Sequence, residues 1–288
     1  MTRKAYNRIA IYGHCGWVSS VIVRSLAASG APVKVIYQPG ADIDWLPSTV
    51  STIEVDVEDR RALVLALQDI DIVISLVGPN DVNKQYAFIK AIPETDVKLF
   101  SPSHLTVRHE EQGLGISINR AKYSVERVTR ESGIPITVIL PGNCAEFALN
   151  SLTRSYIGAA YASIFARTPI LHLRNRHIGL SELTPTGEEI AEALNLRHGT
   201  PPKIIRHNMT SVNTEIETCV EAGNPMALLW YCRKLWGIGR HLDMVGSDIW
   251  DVKDFPKASL HELVVEGRLS AYRDMPAQIV GLLRATLL

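Results

Sequence analysis

The segment Arg8–Gly30, RIAIYGHCGWVSSVIVRSLAASG, constrains this chain more than any other. Four apolar residues, Ile9–Tyr12, have the length of a buried strand. Gly13 follows at once, then Gly16, and the chain turns apolar at helical spacing through Trp17, Val18, Val21, Ile22 and Leu26. A strand that passes through glycines into a helix leaves backbone N–H groups free at the helix N-terminus, where the dipole adds positive potential. That combination favours a phosphate. The spacing is G-x-x-G-x-x-S, with Ser19 standing where a third glycine would complete the dinucleotide fingerprint. An ordinary strand–turn–helix junction that binds nothing carries the same two glycines, so the remainder of the chain has to decide.

It continues as alternating strands and helices. Strands are predicted at Val33–Tyr37, Ser51–Val55, Asp71–Val77, Val97–Phe100 and Ile134–Leu140. Between them lie helical stretches at Arg60–Leu67, around Tyr86, Phe88 and Ile89, and from Asn119 to Glu131. The run IVISLV is continuous enough to be buried on both faces of a parallel sheet. Repeated β-α units predict an α/β fold, a doubly wound, Rossmann-like parallel sheet with right-handed crossovers. In such sheets ligands bind beyond the C-terminal strand ends, where the strand order reverses. The loops at Gly13, Gln38, Asp56, Gly78, Ser101 and Pro141 all fall on that edge, which favours a nucleotide site over an empty junction.

Beyond residue 150 the pattern becomes mostly helical. Helices are predicted at Ile157–Phe165, at Glu188–Leu196 with Thr186 as cap, at Ser211–Ala222, and from an Asn224-Pro225 start to Trp236. Further helices are expected at Ser259–Glu266 and from Pro276 to the end, and Pro169–Leu173 reads as a short strand. This half holds Trp230, Tyr231, Trp236 and Trp250, which serve either as core or as the wall of an apolar pocket. The expected organisation is therefore a dinucleotide-binding domain over 1–150. A smaller, helical substrate-binding region over 151–288 packs partly back on the sheet.

Composition narrows the partners. Thirty basic residues balance thirty acidic ones, so no net field gathers nucleic acid or an acidic membrane. No stretch approaches the roughly 20 apolar residues of a membrane span. The opening MTRKAYNR leads straight into a strand without a signal-like apolar run. The four cysteines, Cys15, Cys144, Cys219 and Cys232, form no C-x-x-C pair, which argues against a disulfide framework or a zinc site. A reduced, cytoplasmic protein without a metal is expected.

The chemistry rests on few residues. No H-E-x-x-H, G-x-S-x-G or P-loop occurs. Tyr86-x-x-x-Lys90 has the Tyr/Lys spacing of ordinary short-chain dehydrogenases but lies one helix too early, so Lys90 is read as a surface lysine. Lys122 is the better candidate, since it begins the helix between the fifth and sixth strands on the ligand edge. There it is placed to give a proton to a developing alkoxide or to hold a ribose hydroxyl. A solvated helix lysine is the alternative.

Taken in order, IAIYGHCGWVSSVIVRSLAASG, DIVISLVG, VKLFSPS, AKYSVERVTRESGIPITVILPGNCAEF and LTPTGEEIAEAL make the chain resemble the NmrA-like, isoflavone-reductase-like branch of the atypical short-chain dehydrogenase/reductases. The resemblance spans about the first two hundred residues. It implies that Gly13 and Gly16, with His14, Trp17 and Val18 of the same loop, cradle a dinucleotide pyrophosphate. Val77 and Gly78 pass beneath the adenosine-side ribose and pyrophosphate, and Gln38 faces that ribose. Ser101, Pro102, Ser103, Asn143 and Cys144 belong to loops that flank the nicotinamide, Gly142 joins the cofactor-binding residues there, and Lys122 corresponds to the lysine those reductases use beside it. The implied cofactor is NADP or NAD, with NADPH favoured. The implied activity is reduction of a small apolar or aromatic, secondary-metabolite-like substrate, with Ser103 and Asn143 shaping its pocket.

Three departures qualify these expectations. Gln38 is neither the arginine of NADP users nor the acid of NAD users. The segment between Phe147 and Ile157 is short. His104 opens a polar loop in place of an acidic-aromatic one. A dinucleotide-sensing regulator without turnover and a non-redox isomerase or cyclase on the same fold therefore stand beside the reductase. A homodimer and a regulatory protein partner both remain open.

Overall fold

Alternate side chains of the first strand enter two different cores, and this sets the layering of the chain. In a computed structural model, which describes residues 6–148, 152–239 and 245–272 together with positions 274, 275, 277, 280, 281, 283 and 284, β1 (Ile9–Tyr12) is buried throughout. Ile9 and Ile11 pack with Ile22, Leu26, Tyr156 and Phe165. Ala10 and Tyr12 point the other way, against Leu63, Phe88 and Val125. A strand covered on both faces has no polar alternation, which is why IAIY is apolar throughout and IVIS is apolar up to its last residue, the buried Ser75.

The partners of β1 are β2 (Val33–Tyr37), β3 (Ser51–Glu54), β4 (Ile72–Ser75) and β5 (Leu99–Ser101). They form a parallel sheet in the order β3-β2-β1-β4-β5. A second parallel pair, β6 (Thr137–Leu140) and β7 (Arg176–Gly179), joins it through a bridge between Phe100 and Ile136 and a 2.9 Å bond from Phe100 N to Pro135 O. Strand order reverses between β1 and β4, whose ends are matched at Tyr12 and Ser75.

The helices are α1 (Ser19–Ala28), α2 (Arg60–Ala66), α3 (Gln85–Ala91), α4 (Glu111–Gly115), α5 (Ser117–Glu131), α6 (Ala145–Ala148) and α7 (Arg154–Phe165). After β7 come α8 (Gly187–His198), α9 (Met209–Glu221) and α10 (Met226–Gly237). One face of the sheet carries α1 and α7; α2, α3 and α5 cover the other. The doubly wound reading of the sequence holds.

Boundaries moved where tertiary contacts intervened. The predicted fourth strand ends at Ser75, so that Leu76, still bonded to Tyr12 O, and Val77 bed Gly13, and it loses Asp71 to an ion cluster. The expected strand at Pro169–Leu173 is instead a 3-10 turn, Ile170–His172. The true strand begins after Asn175, which turns the chain at φ +59°. Its polar opening, Arg176, is compensated from afar by Asp248, 2.6 Å away. Helix α7 begins at Arg154, earlier than predicted, because Thr153 caps it at Tyr156 N. Thr186 caps α8 with Glu189 reciprocating, as its sequence implied. Helices α9 and α10 lay Ile216, Trp230 and Tyr231 on Ile136, Val138 and Leu140 of the β6 region, so these two aromatics are core. The predicted helix at Ser259–Glu266 is a π-type turn at His261–Val265. The helix expected from Pro276 falls largely outside the described residues. None of the described helices is long and apolar enough to cross a membrane.

Asp71, at the foot of β4, accepts from Arg8 Nε at 2.9 Å and Lys98 Nζ at 2.7 Å. These cations outweigh the cost of burying the carboxylate and hold its pKa well below the usual 3.8. A depressed carboxyl adds stability above its unfolded pKa and loses it as pH falls toward its folded pKa. Asp71→Asn is expected to lower stability near neutrality by about 1–2 kcal/mol, at the low end for charged bonds because Arg8 and Lys98 are half-exposed and screened. Thermal melts below roughly pH 4 check this, since the variant's deficit must shrink there.

Candidate functional site: a cleft at the reversal of strand order

The C-terminal end of β4 is the anchor from which the cleft is built. Leu76 N donates to Tyr12 O at 2.7 Å, Ser19 Oγ to Leu76 O at 3.1 Å, and Ser103 Oγ to Val77 O at 2.8 Å. The loops after β1 and β5 are thus tied to one dipeptide. Gly13, at φ +92°, lies so close that an added Cβ would sit 2.6 Å from Val77 N. Ser19 takes the third-glycine position for a local reason: its hydroxyl serves the β4 carbonyl, and Gly16 without a Cβ leaves room for that hydroxyl.

The resulting cleft has a volume of about 530 Å³. Of the predicted cofactor residues, Gly13, His14, Gly16, Gln38, Val77, Gly78, Ser103 and Lys122 line it together. Gly78 has open space where a Cβ would point. Helix α1 begins at the cleft without a side-chain cap; Ser20 N and Val21 N donate back to Gly16 O and Val18 O, and the positive end of the helix dipole is what favours an anion there. An open glycine floor and an uncapped helix end beside it are the features a pyrophosphate requires.

Other predicted residues lie outside the lining. Trp17 turns away beneath the Arg154 guanidinium, 4.0 Å from its ring centre, with Tyr272 against its edge. Val18 packs on the α1-side core. Ser101 and Pro102 are buried under the loop. Gly142 and Asn143 are taken up in backbone bonds to Thr106 and Leu152. Sequence reasoning had passed over Tyr12, Cys15, Tyr37, Ala41 and Asp81, which line the cleft. Asp81 alone carried a signal, lying three residues after Gly78 on the ligand edge.

Lys122 stands on α5 in one stripe with Val125, Glu126 and Thr129, so its stem lies on the buried side of the helix. Its Nζ donates to His104 O at 2.6 Å. Burial lowers its pKa to about 8, and no carboxylate among the described residues pairs with it. The nearby Glu126 is already engaged by His177 at 2.6 Å and by Arg130. Burial, reinforced by Lys122, pushes His104 down to about 3 and His109 to about 4, so both imidazoles are neutral near pH 7. Lys90, by contrast, is exposed. Among the described residues no cluster of His, Cys, Asp or Glu is placed to hold a metal ion.

A parallel sheet wound on both sides, with a glycine loop and cleft where its order reverses, defines a Rossmann-like α/β protein. The chain belongs to the NmrA-like family, whose model matches residues 5–158, in agreement with the resemblance read from its motifs. It is 28% identical over 156 residues to the isoflavone reductase homolog IRL of Zea mays, covering 50% of each chain. It is 32% identical over 165 residues to phenylcoumaran benzylic ether reductase 1 of Arabidopsis thaliana, covering 51% of each. The chain thus spans about half the length of the curated relatives it matches. The fold matches leucoanthocyanidin reductase from Vitis vinifera, solved as a binary complex with NADPH, at a TM-score of 0.73 and 16% identity over 91% of this chain and 99% of that one. It matches a crystal structure of isoflavone reductase equally well, at 0.73 and 18% over the same shares.

Proposed function

We propose that the chain is an NADPH-dependent reductase of a small apolar or aromatic metabolite, of a phenolic or alkaloid-like kind. The observation that carries this reading is Lys122, an amine in the wall of the cleft that no carboxylate among the described residues pairs with and whose pKa is brought down to about 8. An acid of that strength is mostly charged at pH 7 yet gives up its proton readily. The reduced nicotinamide, when bound, supplies hydride. The protein's own part is to hold the dinucleotide on the glycine loop and to give the Lys122 Nζ proton to the substrate oxygen. The relatives named phenylcoumaran benzylic ether reductase and isoflavone reductase homolog support the substrate class.

Calorimetric titration with NADPH, NADH and their oxidised forms, followed by a nicotinamide-oxidation assay over phenolic and alkaloid substrates, tests this. Binding of NADPH at roughly micromolar Kd and turnover of at least one substrate are expected. Binding without turnover, with equal affinity for reduced and oxidised forms, would replace the enzyme with a sensor. No binding to any form would end the dinucleotide reading.

A further inference from the structure

Residue 38, at the end of β2, is where dinucleotide folds distinguish a ribose hydroxyl from a 2′-phosphate, and glutamine there has no charge for either task. The fold brings a charge from another element. Lys84 closes the 3-10 helix Pro79–Lys84 that follows β4. Its Nζ donates to Gln38 Oε1 at 2.8 Å and pairs with Asp81 Oδ1 at 2.7 Å. Gln38 and Asp81 both line the cleft, beside Tyr37 and Ala41. Among the described residues the only lysine or arginine in the lining itself is Lys122, which is held by the loop after β5, across the sheet from β2.

We propose that Lys84, oriented by Gln38, is the residue that selects a dinucleotide bearing a 2′-phosphate, with Asp81 as its competing counter-ion. The inference rests on the dinucleotide reading and adds to it the cation that β2 lacks. An ammonium has three donors, and Gln38 and Asp81 use two. A phosphate entering beside Gln38 carries more charge than one carboxylate, so it takes the third donor and draws Lys84 away from Asp81. Without the phosphate, Asp81 neutralises Lys84 and the cleft presents no net charge at this point. The remaining Asp81 carboxylate repels the phosphate, so it limits how far the two cofactors are separated. Holding Lys84 through a neutral amide adds no second negative charge beside Asp81, which an acidic residue at 38 would do.

Titration of the full chain and its variants with NADPH and NADH tests the inference. Lys84→Ala is expected to weaken NADPH by about tenfold or more and NADH by less than about threefold, with Lys84→Arg restoring most of the loss. Asp81→Asn is expected to tighten NADPH severalfold while leaving NADH nearly unchanged. The bisphosphate 2′,5′-ADP should follow NADPH through the series, and 5′-AMP should follow NADH. Equal weakening of both cofactors in Lys84→Ala, or no change in either, would overturn the role of Lys84 and leave the dinucleotide site standing. A wild-type chain that binds NADH but not NADPH would also overturn it. A wild-type chain that binds neither would remove the site itself.

Discussion

Lys122→Ala is expected to lower turnover by about 10²- to 10⁴-fold while NADPH affinity changes by less than about threefold. Among the described residues the amine pairs with no carboxylate and donates to a single carbonyl, His104 O, so little of the fold depends on it. Its acidity, by contrast, depends wholly on burial. The protonated amine is the donor, so the rate in the native protein should fall as pH rises through about 8. Stability moves in the opposite direction. The folded pKa lies below the ordinary 10.5, so between about 8 and 10.5 the unfolded chain holds a proton that the folded chain does not, and stability rises with pH there. Lys122→Met removes both trends at nearly constant volume and should melt no lower than the native protein at pH 7. A rate-pH profile beside a melting curve therefore separates lost chemistry from lost structure. Unchanged turnover in either variant would take Lys122 out of the mechanism.

Gly13→Ala is expected to be the most damaging small substitution in the cleft. The new Cβ would lie 2.6 Å from Val77 N and 2.7 Å from Leu76 C, both backbone atoms of the dipeptide that ties the site together. The backbone at φ +92° adds strain for any side chain. Displacing β4's end would disturb Ser19 and Ser103 as well, since both bond to it. A loss of about 2–4 kcal/mol in denaturant unfolding and at least tenfold weaker dinucleotide binding are expected. Gly78→Ala supplies the contrast. Its Cβ meets nothing within 4 Å and its φ is −73°, so stability should hold. Weakened NADPH binding in that variant would come from the space that the methyl takes from the ligand.

What was legible in the sequence follows from how local each signal is. Strand–glycine–helix order, the buried run IVISLV and the Thr186 cap depend on neighbours within a few residues, and all three were readable. Lys122 was readable as a position on the ligand edge, although its lowered pKa was not, because burial is set by what α5 packs against. Strand β7 was misplaced because its opening arginine is balanced by Asp248, seventy-two residues away in sequence. Trp17 lies in the glycine loop, yet its indole packs under Arg154 and is not part of the cleft lining, because a loop's position does not say which side chains turn inward.

The sequence by itself determined that parallel strands would be buried between helices and that their glycine-bearing ends would gather on one edge, since chain direction and short-range apolar spacing leave few other solutions. Only the tertiary structure decided what the edge contains. It tied the loops after β1 and β5 to Leu76 and Val77, carried Lys84 to Gln38, and buried Lys122 with no carboxylate paired to it among the described residues. Each of these joins residues far apart in the chain, and such contacts exist only once the sheet has fixed which strand ends are neighbours.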